Sequence, residues 1–361
     1  RSLETAQENF GFATVSSQGY VDQTAGLLLN LREFYPNTQI VICALDQATY
    51  RAFSLANDPH LTVVSAEIVW GPAVWRNIMA RMNRAERAFA TKSALSDWFL
   101  THQARSLLLL DSDLLFLDRI DDLLDLLGGR PAILVAGRHG MEEWAKSNRF
   151  GLFSAGIVGL TTDIIQEVKK WKVACFENCA AVPLSGVYYE QKYLDAFVNV
   201  PGVALIHDPG INISQTFLKL MAPYQDEQNQ WRVKDGTPIR IFHASRATDK
   251  TFPLYEEKEL LNQRGLEKLS LETTSDVHRQ APGAESKMAK VIRKIAVGRY
   301  LTRVMNGVPL LSRKMMILYR TLTIRELPFT DRLQETFFRK HRLSQTMRNE
   351  IAKPKSARVY D

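Results

Sequence analysis

The stretch Ser106-Leu-Leu-Leu-Leu-Asp-Ser-Asp-Leu-Leu-Phe-Leu117 decides the fold, because an uncharged apolar run leads directly into two acids. Such a run is typical of a buried strand, and here Asp111 and Asp113 mark its end. Residues i and i+2 of an extended chain point to the same side, so both carboxylates can converge on one cation. In open α/β sheets, ligands bind at this carboxyl end of the strands. The pattern also suits two acids that cap a strand before an amphipathic helix over 118–127, so the rest of the chain has to decide.

The composition is that of an ordinary globular protein, with 361 residues of which 45% are hydrophobic and 24% charged. The cysteines Cys43, Cys175 and Cys179 are few and odd in number, which argues against a disulfide framework or a zinc site. They favour a reducing compartment. No uninterrupted apolar run in the sequence approaches the roughly 20 residues that span a bilayer. We therefore predict a cytoplasmic protein.

Charge is distributed unevenly along the chain. Residues 287–361 contain 18 Lys and Arg against 5 Asp and Glu, hence a balance of +13, and the total of +7 leaves −6 for residues 1–286. Basic and apolar residues alternate in 289–296 and 310–320, as in amphipathic helices that bind an anionic membrane surface. The same pattern suits a helical extension that packs on the body or forms a homo-oligomer. Nucleic-acid binding is disfavoured, because aromatic residues are not interleaved.

These observations predict two parts, a catalytic domain over 1–280 and a basic helical C-terminal extension over 281–361. With the basic extension, the predicted location is cytoplasmic and peripheral, on the inner face of a membrane. Strand-like runs alternate with helical segments along the first part. The predicted strands beyond the opening stretch are 10–15, 39–45, 61–65, 131–136, 151–160, 203–206 and 239–242, and the main predicted helices are 22–35, 84–103 and 163–173. The alternation predicts an α/β fold with a mostly parallel sheet and helices on both faces.

A set of short motifs follows in one order along residues 9–250. After a first strand with a small-residue turn come Lys92 on a helix, Asp111-Ser-Asp113, Phe153-Ser-Ala-Gly-Ile157, Glu190-Gln191, Pro209-Gly-Ile-Asn212 and Phe242-His243. Together they resemble the GT-A glycosyltransferases, and within them the glycogenin and bacterial galactosyltransferase (family 8-like) group. The resemblance implies the GT-A nucleotide-diphospho-sugar transferase fold, with a Rossmann-like sheet.

The resemblance also implies a metal site. Asp111 and Asp113 would hold Mn²⁺ or Mg²⁺, with His243 as a late third ligand. A hard divalent cation with oxygen ligands neutralises the diphosphate that leaves when the glycosidic bond breaks. Imidazole beside carboxylates favours Mn²⁺. A strand-end histidine with a local hydrogen bond is the alternative for His243.

Donor-binding residues follow from the same resemblance. They are Thr14, Ser16 and Ser17 at the nucleobase and ribose, Lys92 at the nucleotide or its phosphates, and Ser112, Ser154, Gly156, Asn212 and Arg246 around the rest of the donor. Three motifs depart from the family pattern. Ser154 replaces an Asn, Glu190 replaces an Asp, and Ala-Ser-Arg246 follows His243 where the family often has Gly-x-x-Lys. Ordinary roles stay open, namely a turn for the serines and Asn212, and a solvated side chain for Lys92.

The implied activity is transfer of a sugar from a nucleotide diphospho-sugar, with a UDP-sugar expected, to a glycan or lipid-linked saccharide acceptor. The catalytic candidates are Glu190, Gln191 and Asp208. We expect retention of configuration, because an inverting enzyme needs a carboxylate base beside the acceptor, and the turn before Asn212 offers only Asp208. An inverting transferase and a catalytically idle scaffold that binds nucleotide sugars or membranes are the alternatives. A phosphatase of the haloacid dehalogenase type is disfavoured, because that family needs Thr two positions after the second Asp, where this chain has Leu115.

Overall fold

The computed structural model describes residues 10–137, 151–180, 189–214, 217–218, 221–244 and 253–280. Two predictions lie outside these residues, the basic extension over 281–361 and the donor contact of Arg246. Both stay predictions, as does the boundary between the two parts. Among the helices within the described ranges, none has the length and apolar character needed to cross a membrane.

The strands are short and mostly apolar. In chain order they are β1 (Phe10–Ser16), β2 (Gln39–Ala44), β3 (Leu61–Ser65), β4 (Ser106–Leu110), β5 (Leu114–Phe116), β6 (Ala132–Ala136), β7 (Phe153–Thr161), β8 (Ala204–Ile206), β9 (Ile213–Ser214), β10 (Tyr224–Gln225), β11 (Trp231–Arg232) and β12 (Ile241–His243). The predicted strands are confirmed, and their predicted ends agree with the observed ends to within two residues.

The helices alternate with these strands. They are α1 (Val21–Phe34), α2 (Gln47–Ser54), α3 (Ala66–Trp70), α4 (Pro72–Arg81), α5 (Arg84–His102), α6 (Asp121–Gly128), α7 (Ile165–Glu177) and α8 (Pro253–Gln280). Short 3₁₀ helices lie at Gln18–Tyr20, Thr162–Ile164 and Gln191–Asn199. Helix α5 begins with a capping box, in which the Asn83 side chain accepts from the Glu86 backbone and the Glu86 carboxylate accepts from the Asn83 backbone.

The main sheet has the strand order β3-β2-β1-β4-β7-β6-β8. Strands β1, β2, β3 and β4 pair in parallel, as do β6 and β8. Strand β7 runs antiparallel to both of its neighbours, β4 and β6. The prediction of an α/β fold with a mostly parallel sheet is confirmed, and β7 is the strand that makes it only mostly parallel.

Strand β4 lies in the middle of this sheet and shows why both faces are covered. Leu107 and Leu109 pack into a core cluster with residues of α3, α5 and α7, whereas Leu108 and Leu110 pack into a second cluster with residues of α1, α2 and α6. Alternate side chains of a strand point to opposite faces, so a strand that is apolar throughout needs helices on both sides.

A small second sheet has the order β5-β12-β9 and lies beyond the end of β4. Helix α8 packs close to α1, as two glycines show. A Cβ added at Gly265 would lie 2.4 Å from the backbone of Ala25, and one added at Gly26 would lie 2.4 Å from the Asn262 side chain. Only glycine allows the two backbones to approach this closely.

Candidate metal and nucleotide-sugar site

Backbone hydrogen bonds fix the two aspartates at the end of β4. The Asp111 amide donates to the carbonyl of Gly156 on β7 at 2.9 Å, and the Ala244 amide donates to the carbonyl of Asp113 at 3.0 Å. The chain therefore leaves the main sheet between Asp111 and Asp113 and enters the second sheet at β5. Two neighbouring strands hold the acid pair in place, one from each sheet.

His243 lies at the end of β12 and completes a group of three. Its Nε2 is 3.1 Å from Asp113 Oδ1 and 3.7 Å from Asp111 Oδ2. One ligand atom from each of these residues lies within 4.8 Å of the others, so the group could hold a metal ion. Gly156 leaves room beside it, since an added Cβ would lie 2.8 Å from the His243 ring. Two carboxylates and an imidazole, with space beside the ring, suit a divalent cation.

Asp113 and His243 each favour the charged form of the other. Burial opposes ionisation of Asp113, but the adjacent His243 holds the pKa of the Asp113 carboxyl below its usual range. Burial likewise disfavours charged His243, and attraction to Asp113 more than offsets it, so the pKa of the imidazole is raised. An arriving cation would take the place of the histidine proton, because a metal ligand binds in its deprotonated form.

Lys92 connects the acid pair to a third carboxylate. Its Nζ lies 2.5 Å from Asp111 Oδ1 and 2.9 Å from Glu190 Oε1, and it donates to the Ala155 carbonyl at 3.2 Å. Burial alone would lower the pKa of Lys92, but the ion pairs with Asp111 and Glu190 raise it above its usual range. Burial raises the pKa of Glu190 even though Lys92 opposes this. Lys92 is therefore a buried counter-ion.

The chain around Glu190 is anchored on both sides. Trp171 Nε1 of α7 donates to the Glu190 carbonyl at 3.0 Å, and the Ala155 amide of β7 donates to Gln191 Oε1 at 3.1 Å. Ser154 Oγ accepts from the Gly156 amide at 3.0 Å. The structure thus brings Glu190, Gln191, Ser154 and Gly156 to the same end of the sheet as the acid pair.

The turn before Asn212 is held by an arginine. Asp208 Oδ1 accepts from the Gly210 amide at 2.7 Å, and its Oδ2 accepts from Arg240 Nη2 at 2.8 Å. Asn212 has a φ of 61°, and its side-chain oxygen is buried with no hydrogen-bond partner within the described chain. That oxygen is 3.2 Å from the position of a Cβ added at Gly156, so it lies beside the metal-ligand group.

The residues predicted for the nucleobase and ribose lie at the end of β1. Thr14 Oγ1 is buried and unpaired within the described ranges, whereas Ser16 Oγ is 2.7 Å from Thr24 Oγ1. Ser17 Oγ accepts from Arg84 Nη2 at 3.3 Å. Because β1 pairs in parallel with β4, these side chains and the acid pair share one edge of the sheet. Ser112, between the two aspartates, is buried.

Several known proteins are similar to this chain, although no protein-family model matches it. The uncharacterized protein YfnF of Bacillus subtilis (strain 168) is 21% identical over 250 residues, which cover 65% of this chain and 80% of that protein. Three of the similar solved structures are of a galactosyltransferase and a xylosyltransferase. An active-site mutant of LgtC has a TM-score of 0.47 at 17% identity, with 70% of this chain and 94% of that chain covered. The galactosyltransferase LgtC in complex with donor and acceptor sugar analogs has a TM-score of 0.46 at 17% identity, with 75% and 99% covered. Mouse xyloside xylosyltransferase 1 has a TM-score of 0.44 at 12% identity, with 66% and 99% covered.

One residue at the site was missed by sequence reasoning. Lys258 of α8 is 1% exposed, and its Nζ has no hydrogen-bond partner in the described part of the chain. Burial lowers the pKa of Lys258 to about 7, against attraction from Asp113 and Glu259. The sequence offered one signal for it. Leu254, Lys258 and Leu261 are spaced so that they share one face of a helix, and the two leucines make that face apolar.

Proposed function

We propose that the protein is a metal-dependent GT-A glycosyltransferase that moves a sugar from a nucleotide diphospho-sugar, with a UDP-sugar as the expected donor, to a saccharide or lipid-linked saccharide. The observation that carries this proposal is the group of Asp111, Asp113 and His243, whose ligand atoms lie within 4.8 Å of one another. It lies at the carboxyl end of β4, where α/β sheets bind their ligands.

The metal-binding role falls to Asp111, Asp113 and His243, with Mn²⁺ favoured over Mg²⁺ because one ligand is an imidazole nitrogen. When bound, the divalent cation supplies positive charge that neutralises the diphosphate leaving group. Lys92 keeps the Asp111 carboxylate fixed through a contact of 2.5 Å, so one ligand is already oriented before the cation arrives. A fixed ligand has less side-chain freedom to lose on binding.

The donor sugar would lie against β7 and the two segments packed on it. Glu190, Gln191 and Ser154 are already held there by Lys92 and by backbone amides. The buried, unpaired oxygen of Asn212 offers an acceptor for a sugar hydroxyl. A buried acceptor without a partner is costly, and a bound hydroxyl would remove that cost.

Retention of configuration is the stereochemistry that we propose. An inverting enzyme needs a carboxylate base that is free to take the proton of the acceptor hydroxyl. Among the described acids of the site, Glu190 pairs with Lys92, and Asp208 pairs with Arg240 at 2.8 Å. Asp111 and Asp113 are assigned to the cation. These engagements support retention, with Glu190 and Gln191 positioning the sugar and Asp208 holding the turn.

The test is calorimetric binding of UDP with Mn²⁺ to the wild type and to Asp113→Ala. Without the cation, the phosphates would meet two carboxylates at close range. We therefore expect Asp113→Ala to lose at least about 100-fold in affinity for UDP, and we expect the same loss for the wild type in chelator. The matched control is Asp125→Ala, which alters an exposed acid on α6. Unchanged affinity in Asp113→Ala, or full affinity in chelator, would contradict the metal site.

Turnover separates the enzyme from its alternatives. A panel of nucleotide sugars with Mn²⁺ should show metal-dependent donor hydrolysis or transfer, and NMR of the new linkage should show the anomeric configuration of the donor. Binding without any turnover would indicate an idle nucleotide-sugar scaffold. A product of opposite configuration would indicate inversion, and Asp208 or Glu190 would become the base.

A further inference from the structure

Lys258 is a buried lysine that the proposed chemistry has not yet used. Its side chain is 1% exposed, and its Nζ finds no acceptor within the described residues. A lysine ammonium carries three donors, and an unpaired buried charge is among the most unfavourable groups in a protein interior. Such a residue costs stability, and a bound ligand would supply the partner that the described residues do not.

The position of Lys258 connects it to the metal-ligand group. Leu254 and Leu261, on the same face of α8, pack into one core cluster with Leu115 of β5 and Phe242 of β12. Asp113 lies just before β5, and His243 is the residue after Phe242. Lys258 is therefore held beneath the two strands that carry these ligands. Asp113 exerts the largest attraction that favours charge on Lys258.

The two buried lysines of the site differ in their partners. Lys92 is already engaged by Asp111 and Glu190, so its donors are directed at the protein. Lys258 is the buried lysine near Asp113 whose donors, as far as the chain is described, are directed at nothing. A diphosphate presents several charged acceptor oxygens, and hydrogen bonds between ammonium and phosphate are among the strong ones.

We propose that Lys258 is a binding residue for the diphosphate of the nucleotide donor. This inference rests on the proposed function, since it assigns the group that Lys258 meets within the same site. The diphosphate would lie within reach of the Lys258 ammonium and would supply the acceptors that the described residues do not. No bond forms or breaks at Lys258, so its role is to bind and orient the leaving group.

The test compares Lys258→Met with the wild type in the full-length protein. Methionine matches the length of the lysine stem and removes only the charge and the donors. The probes are pyrophosphate with Mn²⁺, which does not depend on the identity of the base, and Mn²⁺ alone. We expect the affinity for pyrophosphate to fall about 10- to 100-fold. The affinity for Mn²⁺ alone should be unchanged or tighter, because a positive charge near Asp113 has gone.

A purely structural lysine would behave differently. Removal of an unpaired buried amine should leave the melting temperature of the ligand-free protein the same or higher, so a structural role predicts a stable variant with normal pyrophosphate affinity. That result would overturn the inference. Lys258→Arg keeps the charge and should retain affinity to within about 10-fold, which covers the case in which the methionine variant fails to fold.

Two controls separate this inference from the proposed function. Lys268→Met changes an exposed lysine on the same helix and should bind pyrophosphate as the wild type does. If the wild type itself binds neither pyrophosphate nor UDP with Mn²⁺, the proposed function fails, and the inference fails with it. A second uncharged variant is Lys258→Gln. If the wild type binds pyrophosphate and either uncharged variant binds it equally well, only the role of Lys258 is refuted.

Discussion

Lys92 on α5 and Lys258 on α8 are both buried, Lys92 in contact with Asp111 and Lys258 under the attraction of Asp113, yet their surroundings are opposite. Lys92 contacts two carboxylates and a carbonyl, and its pKa is raised above the usual range. Lys258 has no partner among the described residues, and burial lowers its pKa to about 7. Burial by itself therefore does not decide the charge of a lysine. The paired lysine stabilises the fold, whereas the unpaired one is the residue assigned above to the diphosphate.

The largest effect should come from the paired lysine. We expect Lys92→Met to lower the free energy of unfolding by about 3–5 kcal/mol, because it leaves the Asp111 and Glu190 carboxylates without their buried counter-ion. Urea denaturation at neutral pH measures this. The matched control is Lys170→Met, which removes an exposed lysine 3.2 Å from Glu167 and should change the stability by less than about 1 kcal/mol. Equal costs for the two variants would remove the distinction between buried and exposed lysines.

A second change should recover part of that loss. Glu190→Gln removes one of the two stranded carboxylates, so the double variant with Lys92→Met should cost less than the sum of the two single variants. The coupling energy for groups in direct contact is typically about 1–3 kcal/mol. A double-mutant cycle from urea denaturation measures it. Simple additivity would mean that Lys92 does not act as the counter-ion of Glu190.

A smaller effect concerns pH and the unpaired lysine. In the unfolded chain Lys258 keeps its proton up to its usual pKa of 10.5, whereas in the fold the pKa is about 7. Between these values the unfolded state binds more protons, so wild-type stability should rise with pH relative to Lys258→Met, by at most about 1.4 kcal/mol per pH unit. Attraction from Asp113 and Glu259 opposes this shift and is already included in the pKa of about 7. Urea denaturation of both proteins at pH 7, 8 and 9 measures the slope, and a constant difference would show that Lys258 has acceptors in the fold.

The main features of the fold could be predicted from the sequence. Apolar runs located most strands, and the two acids after Leu110 located the site, because both signals are local. The direction of β7 could not be read in this way. A strand buried on both faces is mostly apolar whichever way its neighbours run, and β7 is buried along its whole length.

The electrostatics of the site were out of reach for a related reason. Lys92 and Glu190 are 98 positions apart, and their contact depends on how α5 and the segment before the last 3₁₀ helix pack on β7. The sequence resemblance assigned Lys92 to the nucleotide, whereas the described contacts direct it to Asp111 and Glu190. Its direct role at the nucleotide stays a prediction. Lys258 lay in an apolar helical stripe, where only the fold could reveal that its amine is buried without an acceptor among the described residues.

The close contact between Gly26 on α1 and the α8 segment that carries Gly265 has a consequence for the order in which the chain folds during its synthesis. Helix α1 leaves the ribosome well before α8, the helix that covers it. A contact between such distant segments is slow to form, because a long loop must close first. Until α8 emerges, the apolar side of α1 stays open to solvent and to other nascent chains, which is the situation in which chaperones bind. A fragment that ends before residue 253 would remain permanently in that state.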